Sequence, residues 1–383
     1  MQGTGLSHHF IAPLALLMLN LSLLGQSDKP AIVGYVFPQN GPVRSTEIDA
    51  YSMTRINYAF ATIQNGRMLI SAANDGPNIS QLTALRQLNP SLTVLISVGG
   101  WLGSGGFSDM ALTEKSRGLF IKSTLELLKT YDLDGVDVDW EYPGLPGAGN
   151  KFRSEDRRNF TLLLKELRDQ LTRQSEMVRR RLYLTIAAGA DDEYLAHTEM
   201  AEVAQYVDAV NVMAYDYYEA GSDTTTGNHA PLFVSPADPK RASADTTVKA
   251  YEAAGVPARK LILGVPFYGR MWGQVRNINH GLFQPGKPVP EGNAAYSVIR
   301  ETMLNHGYTR YWDGAAKAPY LYSEEKQIFV SYEDSESLAA KCSYVLSHEL
   351  GGVMFWSYFN DPSGELLHTV NRAFKSSAAA MAK

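Results

Sequence analysis

Asp134-Gly135-Val136-Asp137-Val138-Asp139-Trp140-Glu141-Tyr142-Pro143 reads as a short β-strand that ends in a turn. Residues two apart share one face of a strand, so the carboxyls of Asp137, Asp139 and Glu141 point one way. Val136, Val138 and Trp140 point the other way, where helices can pack on them. Three acids in a column are costly to bury unless they share protons and hydrogen bonds. A solvated acidic strand would not carry two valines and a tryptophan on its back. The stretch therefore points to acid–base chemistry at the end of a buried strand. Asp134 has the opposite parity and is read as ordering the strand entry.

Seven other apolar runs surround this one: Ala31–Phe37, Arg55–Ile63, Thr93–Val98, Leu182–Ala188, Ala209–Ala214, Leu261–Pro266 and Gly352–Trp356. Most are apolar on both faces, as buried parallel strands are. Amphipathic stretches alternate with them, near Glu114–Leu128, Ser243–Ala253 and Ser335–Ser347, and one with Leu162, Leu163, Leu164 and Leu167 that Ser154 is placed to cap. Strand and helix alternating eight times predict the α/β class and a closed (β/α)8 TIM barrel. No GxGxxG follows the first strand, which disfavours an open dinucleotide-binding sheet.

One region breaks the alternation. From Gln274 to about Val330 the chain carries Gly281, Pro285, Gly286, Pro288 and Pro290, then Tyr296, Tyr308, Tyr311, Trp312, Tyr320, Tyr322 and Phe329. This is read as a small α+β insertion, residues 273-330, between strands 7 and 8, with the barrel over 30-272 and 331-376. The loop after a barrel strand opens on the active face, so the insertion should wall a groove.

The chain has 383 residues, 45% of them hydrophobic, with a net charge of −5. Arg179-Arg180-Arg181 is its longest basic run, so a phosphate backbone is not an expected partner. Cys342 is the single cysteine and reads as a small buried hydrophobe. No metal-ligating pattern appears, and no metal or cofactor is expected. The apolar run Phe10–Leu24, followed by Gly25-Gln26-Ser27, reads as a signal peptide over 1-27. The expectation is a secreted, extracellular or periplasmic protein. Asn20, Asn78 and Asn159 open N-x-S/T triplets.

With these segments in place the chain resembles family-18 glycoside hydrolases, the chitinases. Asp134-Gly135-x-Asp137-x-Asp139-Trp140-Glu141 resembles the family signature. Ser97-Val98-Gly99-Gly100-Trp101 resembles its third-strand motif and Met213-Ala214-Tyr215-Asp216 its sixth. Gly264 to Arg270 and Gly352 to Trp356 resemble its seventh and eighth strands, and Gly34-Tyr35 its first. The resemblance runs from about Ala31 to Phe374, and the insertion resembles that of the deep-groove members.

The resemblance implies cleavage of β-1,4 bonds in chitin and N-acetylglucosamine oligosaccharides. Most glycosidases use two carboxyls, but this family is a substrate-assisted exception. Glu141 would be the acid and then the base. Asp139 would hold the acetamido N–H of a substrate whose own carbonyl oxygen attacks. Asp137 would share a proton with Asp139, supported by Tyr35 and Ser97, and Tyr215 would donate to the acetamido carbonyl. Trp356 would floor the cleaved sugar and Trp101 stack on the leaving side. Phe60, Gly100, Met213, Asp216, Tyr268 and Arg270 complete the implied substrate contacts. Two relatives of other kinds fit the same barrel: a non-catalytic chitin-binding lectin, against which Glu141 argues, and an endo-β-N-acetylglucosaminidase. No nucleic-acid or membrane partner is expected, and a monomer is.

Overall fold

The computed structural model describes residues 29–381. The residues read as a signal peptide, and Asn20, lie outside them. Fourteen strands follow in chain order: β1 (Ala31–Val36), β2 (Arg55–Gln64), β3 (Arg67–Leu69), β4 (Thr93–Gly99), β5 (Gly135–Asp139), β6 (Tyr183–Ala188), β7 (Ala209–Val212), β8 (Leu261–Pro266), β9 (Tyr268–Gly273), β10 (Lys287–Ala295), β11 (Thr309–Asp313), β12 (Ala318–Ser323), β13 (Ile328–Ser331) and β14 (Gly352–Trp356). Eight of them, β1, β2, β4, β5, β6, β7, β8 and β14, lie parallel, and pairing of β1 with both β2 and β14 closes the sheet. The expected (β/α)8 barrel is therefore what the chain forms. β3 was not anticipated; it folds back antiparallel along the end of β2.

The two faces of the barrel strands differ in chemistry. Outward residues such as Ile96, Val98, Val136, Val138, Trp140, Ile186 and Val265 join one apolar layer with the helices. Trp140 stacks on Phe107 with centroids 5.0 Å apart and meets Phe160 edge-on, so it packs away from the acids. The interior holds a small apolar cluster, Val33, Tyr35, Ala59, Ala209, Ile262 and Met354. Fully buried polar side chains also occur on the barrel strands, among them Asn57, Ser97, Asp137, Thr185 and Asn211. Ser97, Thr185 and Asn211 turn their donors onto Asp137, whereas both amide atoms of Asn57 are buried without a partner.

Helix starts follow capping chemistry. Thr113, Ser243 and Asp334 each close a capping box, on Glu114–Thr130, Ala244–Ala253 and Ser335–Ser347 respectively. Ser154 does not cap its helix, which runs Asp156–Val178. Its hydroxyl bonds the Glu155 carboxylate, and Asp156 itself accepts from the Arg153 N–H at 2.8 Å. No side chain caps this helix; Asp156, its first residue, bonds back to the segment before it instead. Asp134 accepts from the Val94 N–H at 2.8 Å and pairs with Arg86, which ties the entries of β4 and β5 together.

The second sheet is antiparallel, in the order β10-β9-β13-β12-β11. It begins at Tyr268, upstream of the 273 boundary read from the sequence, and extends to Ser331. Only Phe267 separates β8 from β9, so no turn signal marked the change of sheet. Trp272, Phe329, Tyr320 and Tyr322 form this sheet's own core, while Trp312 lies under Arg310 at 5.4 Å. Asn78 and Asn159 are buried, and Asn78 is hydrogen-bonded to Val43 and Gly41, so neither triplet presents a free asparagine. Cys342 is buried in the outer apolar layer. Among the described residues no helix is long and apolar enough to cross a membrane.

Candidate active site

Register sets the acids. Parallel pairing places Ser97 beside Asp137, Gly99 beside Asp139, and Asp137 beside Thr185. Asp137, fully buried, accepts from Tyr35 at 2.8 Å, Ser97 at 2.7 Å, Thr185 at 2.5 Å and Asn211 at 3.0 Å. Its lone-pair directions are thus filled. The buried Oδ1 of Asp139 has no partner. The carboxyl with room for a proton or a ligand is Asp139, not Asp137.

Glu141 lies just past the end of β5. Its backbone is fixed twice: the Glu141 N–H donates to Ser104 Oγ at 2.9 Å, and Asn150 Nδ2 donates to the Glu141 carbonyl at 3.0 Å. The Ser104 hydroxyl in turn donates to the carbonyls of Gly100 and Asp139. The third and fourth βα loops of the barrel are therefore knotted around the backbone of the last acid. No signal in the sequence distinguished Ser104 or Asn150 from ordinary loop residues. Thr185 and Asn211 were equally hidden, because their role depends on which strands become neighbours.

All three carboxyls titrate above their ordinary range. Burial pushes Asp137 up, against the pull of Thr185, Ser97 and Tyr35. Burial also raises Asp139 well above the usual value, and the charges of Glu141 and Asp137 add to it. Burial pushes Glu141 up to about 7; the Tyr142 hydroxyl draws it back, while Asp216 and Glu219 add to the rise. Repulsion between Asp139 and Glu141 falls on the more deeply buried Asp139, and the two titrate as a pair.

These groups open into a cleft of about 1270 Å³ at the C-terminal end of the barrel strands. Trp356 forms its apolar floor, stacked on Phe37 at 5.4 Å and Phe60 at 5.5 Å and tilted against Tyr35 at 5.8 Å. Met213 and Tyr215 line one side, and Tyr215 meets the Tyr268 ring edge-on at 6.3 Å. Trp101 is half exposed at the rim, 6.4 Å from Tyr142. Asp216, Tyr268 and Arg270 are first of all partners of one another. Tyr268 donates to Asp216 at 2.6 Å, and Arg270 grips the same carboxylate in a bidentate pair at 2.8 and 2.7 Å. His229 adds a contact at 3.3 Å. Burial acts upward on Asp216, but His229 and Arg270 outweigh it and hold the carboxyl well below its usual range. Opposite charges brought together out of water bind each other strongly when hydrogen-bonded this fully. The cleft wall near Glu141 thus holds Asp216 ionised, with Arg270 as its counter-charge.

The sequence pattern of Glycosyl hydrolases family 18 matches residues 31–361 of this chain. The chain belongs to that family. It is 40% identical over 317 residues to Chitinase A1 of Niallia circulans, an alignment covering 78% of this chain and 45% of that protein, so it spans under half of that relative. Its structure is similar to a family-18 N-acetylglucosaminidase from Paenibacillus barengoltzii, with TM-score 0.83, 40% identity, and coverage of 90% of this chain and 99% of that one. It is also similar to a class V chitinase of Nicotiana tobaccum in complex with NAG4, with TM-score 0.82, 27% identity, and coverage of 90% and 99%.

In this family-18 chain every site residue named from the sequence except Ser97 and Gly100 lines the cleft or is one of the buried acids. Ser97 lies beneath it as a support of Asp137, and Gly100 sits behind Phe60. A side chain at Gly100, where φ is +75°, would meet the Phe60 ring at 2.6 Å. At Gly99, where φ is +111°, a Cβ would stand 2.0 Å from the Asp139 carbonyl oxygen. Gly99→Ala is expected to lower stability by roughly 2–5 kcal/mol, summing backbone strain and overpacking. Urea unfolding monitored by tryptophan fluorescence checks this; an unchanged midpoint would mean that β4 and β5 can part without loss. The pair Tyr217-Tyr218 divides its labour. Tyr217 lines the cleft with its hydroxyl 2.7 Å from Thr247, while Tyr218 turns toward the second sheet and donates to Asp238 at 2.6 Å.

Proposed function

We propose that this family-18 chain hydrolyses β-1,4 bonds of chitin and N-acetylglucosamine oligomers with retention, using the substrate's own acetamido oxygen as nucleophile. The observation that carries the reading is Glu141, raised to about 7 at the cleft beside an Asp139 whose Oδ1 is buried without a partner. A glycosidic oxygen leaves as an alcohol only if it is protonated, so the acid must still hold its proton near neutrality. Glu141 is suited to that task. The vacant acceptor on Asp139 suits an acetamido N–H. Holding that N–H turns the carbonyl oxygen toward the anomeric carbon, and the hydroxyl of Tyr215, which lines the same cleft, can donate to it. The cyclic oxazolinium-like intermediate then stands above Trp356. Water activated by the now ionised Glu141 opens it from the face the leaving group vacated, giving net retention.

Asp216, the cleft carboxylate locked by Tyr268, Arg270 and His229, is bound on four sides and is ill suited to act as a protein nucleophile. A lectin reading finds no support in a full column of acids. The apolar run near the N-terminus supports export as part of the proposal. The names of relatives, a chitinase and an N-acetylglucosaminidase, support a substrate built of N-acetylglucosamine units.

N-acetyl dependence is the test. Oligomers of N-acetylglucosamine are expected to be cleaved with the product first appearing as the β-anomer by NMR. Fully deacetylated oligomers of equal length are expected to be inert, because they lack the nucleophile. Rapid cleavage of the deacetylated series, or first appearance of the α-anomer, would overturn the mechanism.

A further inference from the structure

His229 is a polar side chain sealed inside the protein that the proposed reaction does not use. It lies on the long connection after β7 and is fully buried. Asp216 is ionised and can only accept, so the 3.3 Å contact between His229 Nδ1 and Asp216 Oδ1 requires the hydrogen on Nδ1. Nε2 is buried with no partner among the described residues, and burial pushes the imidazole pKa down, so the ring is neutral and Nε2 carries a bare lone pair. A buried nitrogen without a partner disfavours the fold, and an aliphatic side chain would fill the same space without that cost. What only the imidazole supplies here is the Nδ1–H.

That N–H lands on a strained piece of backbone. After β7 the chain makes two tight turns, in which the Ala214 N–H donates to the Val212 carbonyl and the Tyr215 N–H to the Met213 carbonyl, both at 2.8 Å. Asp216 then has a φ of +61°, a region that a residue with a Cβ adopts only where its surroundings hold it. His229 holds it from two sides. Its ring bonds the Asp216 carboxylate, and its backbone carbonyl accepts from the Tyr217 N–H at 3.1 Å. The His229 N–H donates to Ser331 Oγ at 2.9 Å on β13, so the residue is itself anchored to the second sheet. A second route runs through rings. The His229 ring lies 5.4 Å from that of Tyr268, and Tyr268 meets Tyr215 edge-on at 6.3 Å. Tyr268 is kept from turning away by its hydroxyl, bound to Asp216 at 2.6 Å. Both routes end at Tyr215.

We propose that His229 is a positioning residue for Tyr215: by locking Asp216 and backing the Tyr268 ring, it fixes where the Tyr215 hydroxyl points. The inference rests on the proposed function, in which that hydroxyl donates to the acetamido carbonyl, and deepens it by naming what aims the donor. His229 is sealed behind the cleft wall and does not line the cleft. Its effect therefore passes through Asp216 and Tyr268. A hydrogen bond weakens steeply as its angle departs from linear, so a small rotation of Tyr215 costs the attacking oxygen its alignment. The loss falls on kcat rather than on affinity, which rests on the whole cleft.

The experiment is a double-mutant cycle on the full chain: His229→Leu, Tyr215→Phe and both together, with kcat and KM measured on the N-acetylglucosamine tetramer. His229→Leu is expected to lower kcat about tenfold with KM within about threefold, as a misaligned reacting pair would. In the Tyr215→Phe background the same substitution is expected to cost less than about twofold, because nothing remains to aim. His229→Asn, whose Nδ2 can stand where Nδ1 stands, is expected to recover most of the loss. A residue that only supported the fold would lower kcat by the same factor in both backgrounds, and such additivity beside a clear Tyr215→Phe deficit would overturn the positioning role alone. So would a normal kcat for His229→Leu, or a His229→Asn as poor as His229→Leu. If circular dichroism shows His229→Leu unfolded, His229→Gln takes its place in the cycle with the same expectations, since its amide reaches the Nε2 position instead. A Tyr215→Phe with wild-type kcat, or a wild-type protein that cleaves no oligomer, would sink the proposed function and the positioning role with it.

Discussion

Replacing Glu141 with glutamine is expected to lower kcat on N-acetylglucosamine oligomers by about 10²–10⁴-fold, the usual contribution of a positioned acid or base. The amide keeps the shape of the carboxyl and its backbone anchors to Ser104 and Asn150, so oligomer affinity should survive. Calorimetric titration of the variant beside initial rates of both proteins checks the split. Near-normal turnover would remove Glu141 from the mechanism. The same substitution makes a second, opposite prediction for stability. The folded-state value of Glu141, about 7, lies above the value of a solvated glutamate. Its protonated form therefore favours the fold, and that contribution is fully present in acid and lost as pH rises through 7. A glutamine never ionises. The stability gap in favour of Glu141→Gln should widen by up to about 3 kcal/mol between about pH 5 and pH 8, following the pKa difference. Urea unfolding of both proteins at the two pH values measures it; a gap that narrows would contradict the burial argument. In wild type the activity should fall about tenfold per pH unit above the same titration, because the acid is then empty.

Asp139→Asn carries the other large effect. Asp139 Oδ1 is buried, unpartnered and beside the site where positive charge is proposed to develop on the acetamido group. An asparagine can still fill the space, but it brings no negative charge and can turn a donor where an acceptor is needed. The expected loss is about 10²–10³-fold in kcat, the scale of one misplaced electrostatic partner in a water-poor site. KM should move much less, since the group acts mainly after binding. The substitution also removes the repulsion between the two acids. A loss of affinity with kcat unchanged would assign Asp139 to ground-state binding. An unaltered kcat would return the role to Asp137, whose four donors make it the poorer candidate.

The barrel and the acid column were legible in the chain alone because both rest on short-range rules. Alternation along β5 puts Asp137, Asp139 and Glu141 on one face whatever surrounds them, and apolar runs spaced by amphipathic helices leave few closed arrangements. The Gly99-Gly100 pair was visible as a motif, though its cause, the nearness of Asp139 and Phe60, was not. The start of the second sheet at Tyr268 was missed because a single residue separates two strands that pair with different partners. Ser154 was misjudged as a cap because the helix starts at Asp156 and the Ser154 hydroxyl turns to the Glu155 carboxylate instead.

Sequence by itself thus determined the repeating strand–helix order, the column of acids and the aromatic supply for a cleft. Only the tertiary structure decided which polar side chains surround each acid. Thr185 and Asn211 reach Asp137 across 48 and 74 residues of chain, and Arg270 reaches Asp216 across 54. Hydrogen bonds act over a few ångströms, and closing the barrel brings residues distant in sequence within that range. That closure leaves Asp139 as the acid without a donor on its buried Oδ1 and Glu141 as the one that titrates near neutrality.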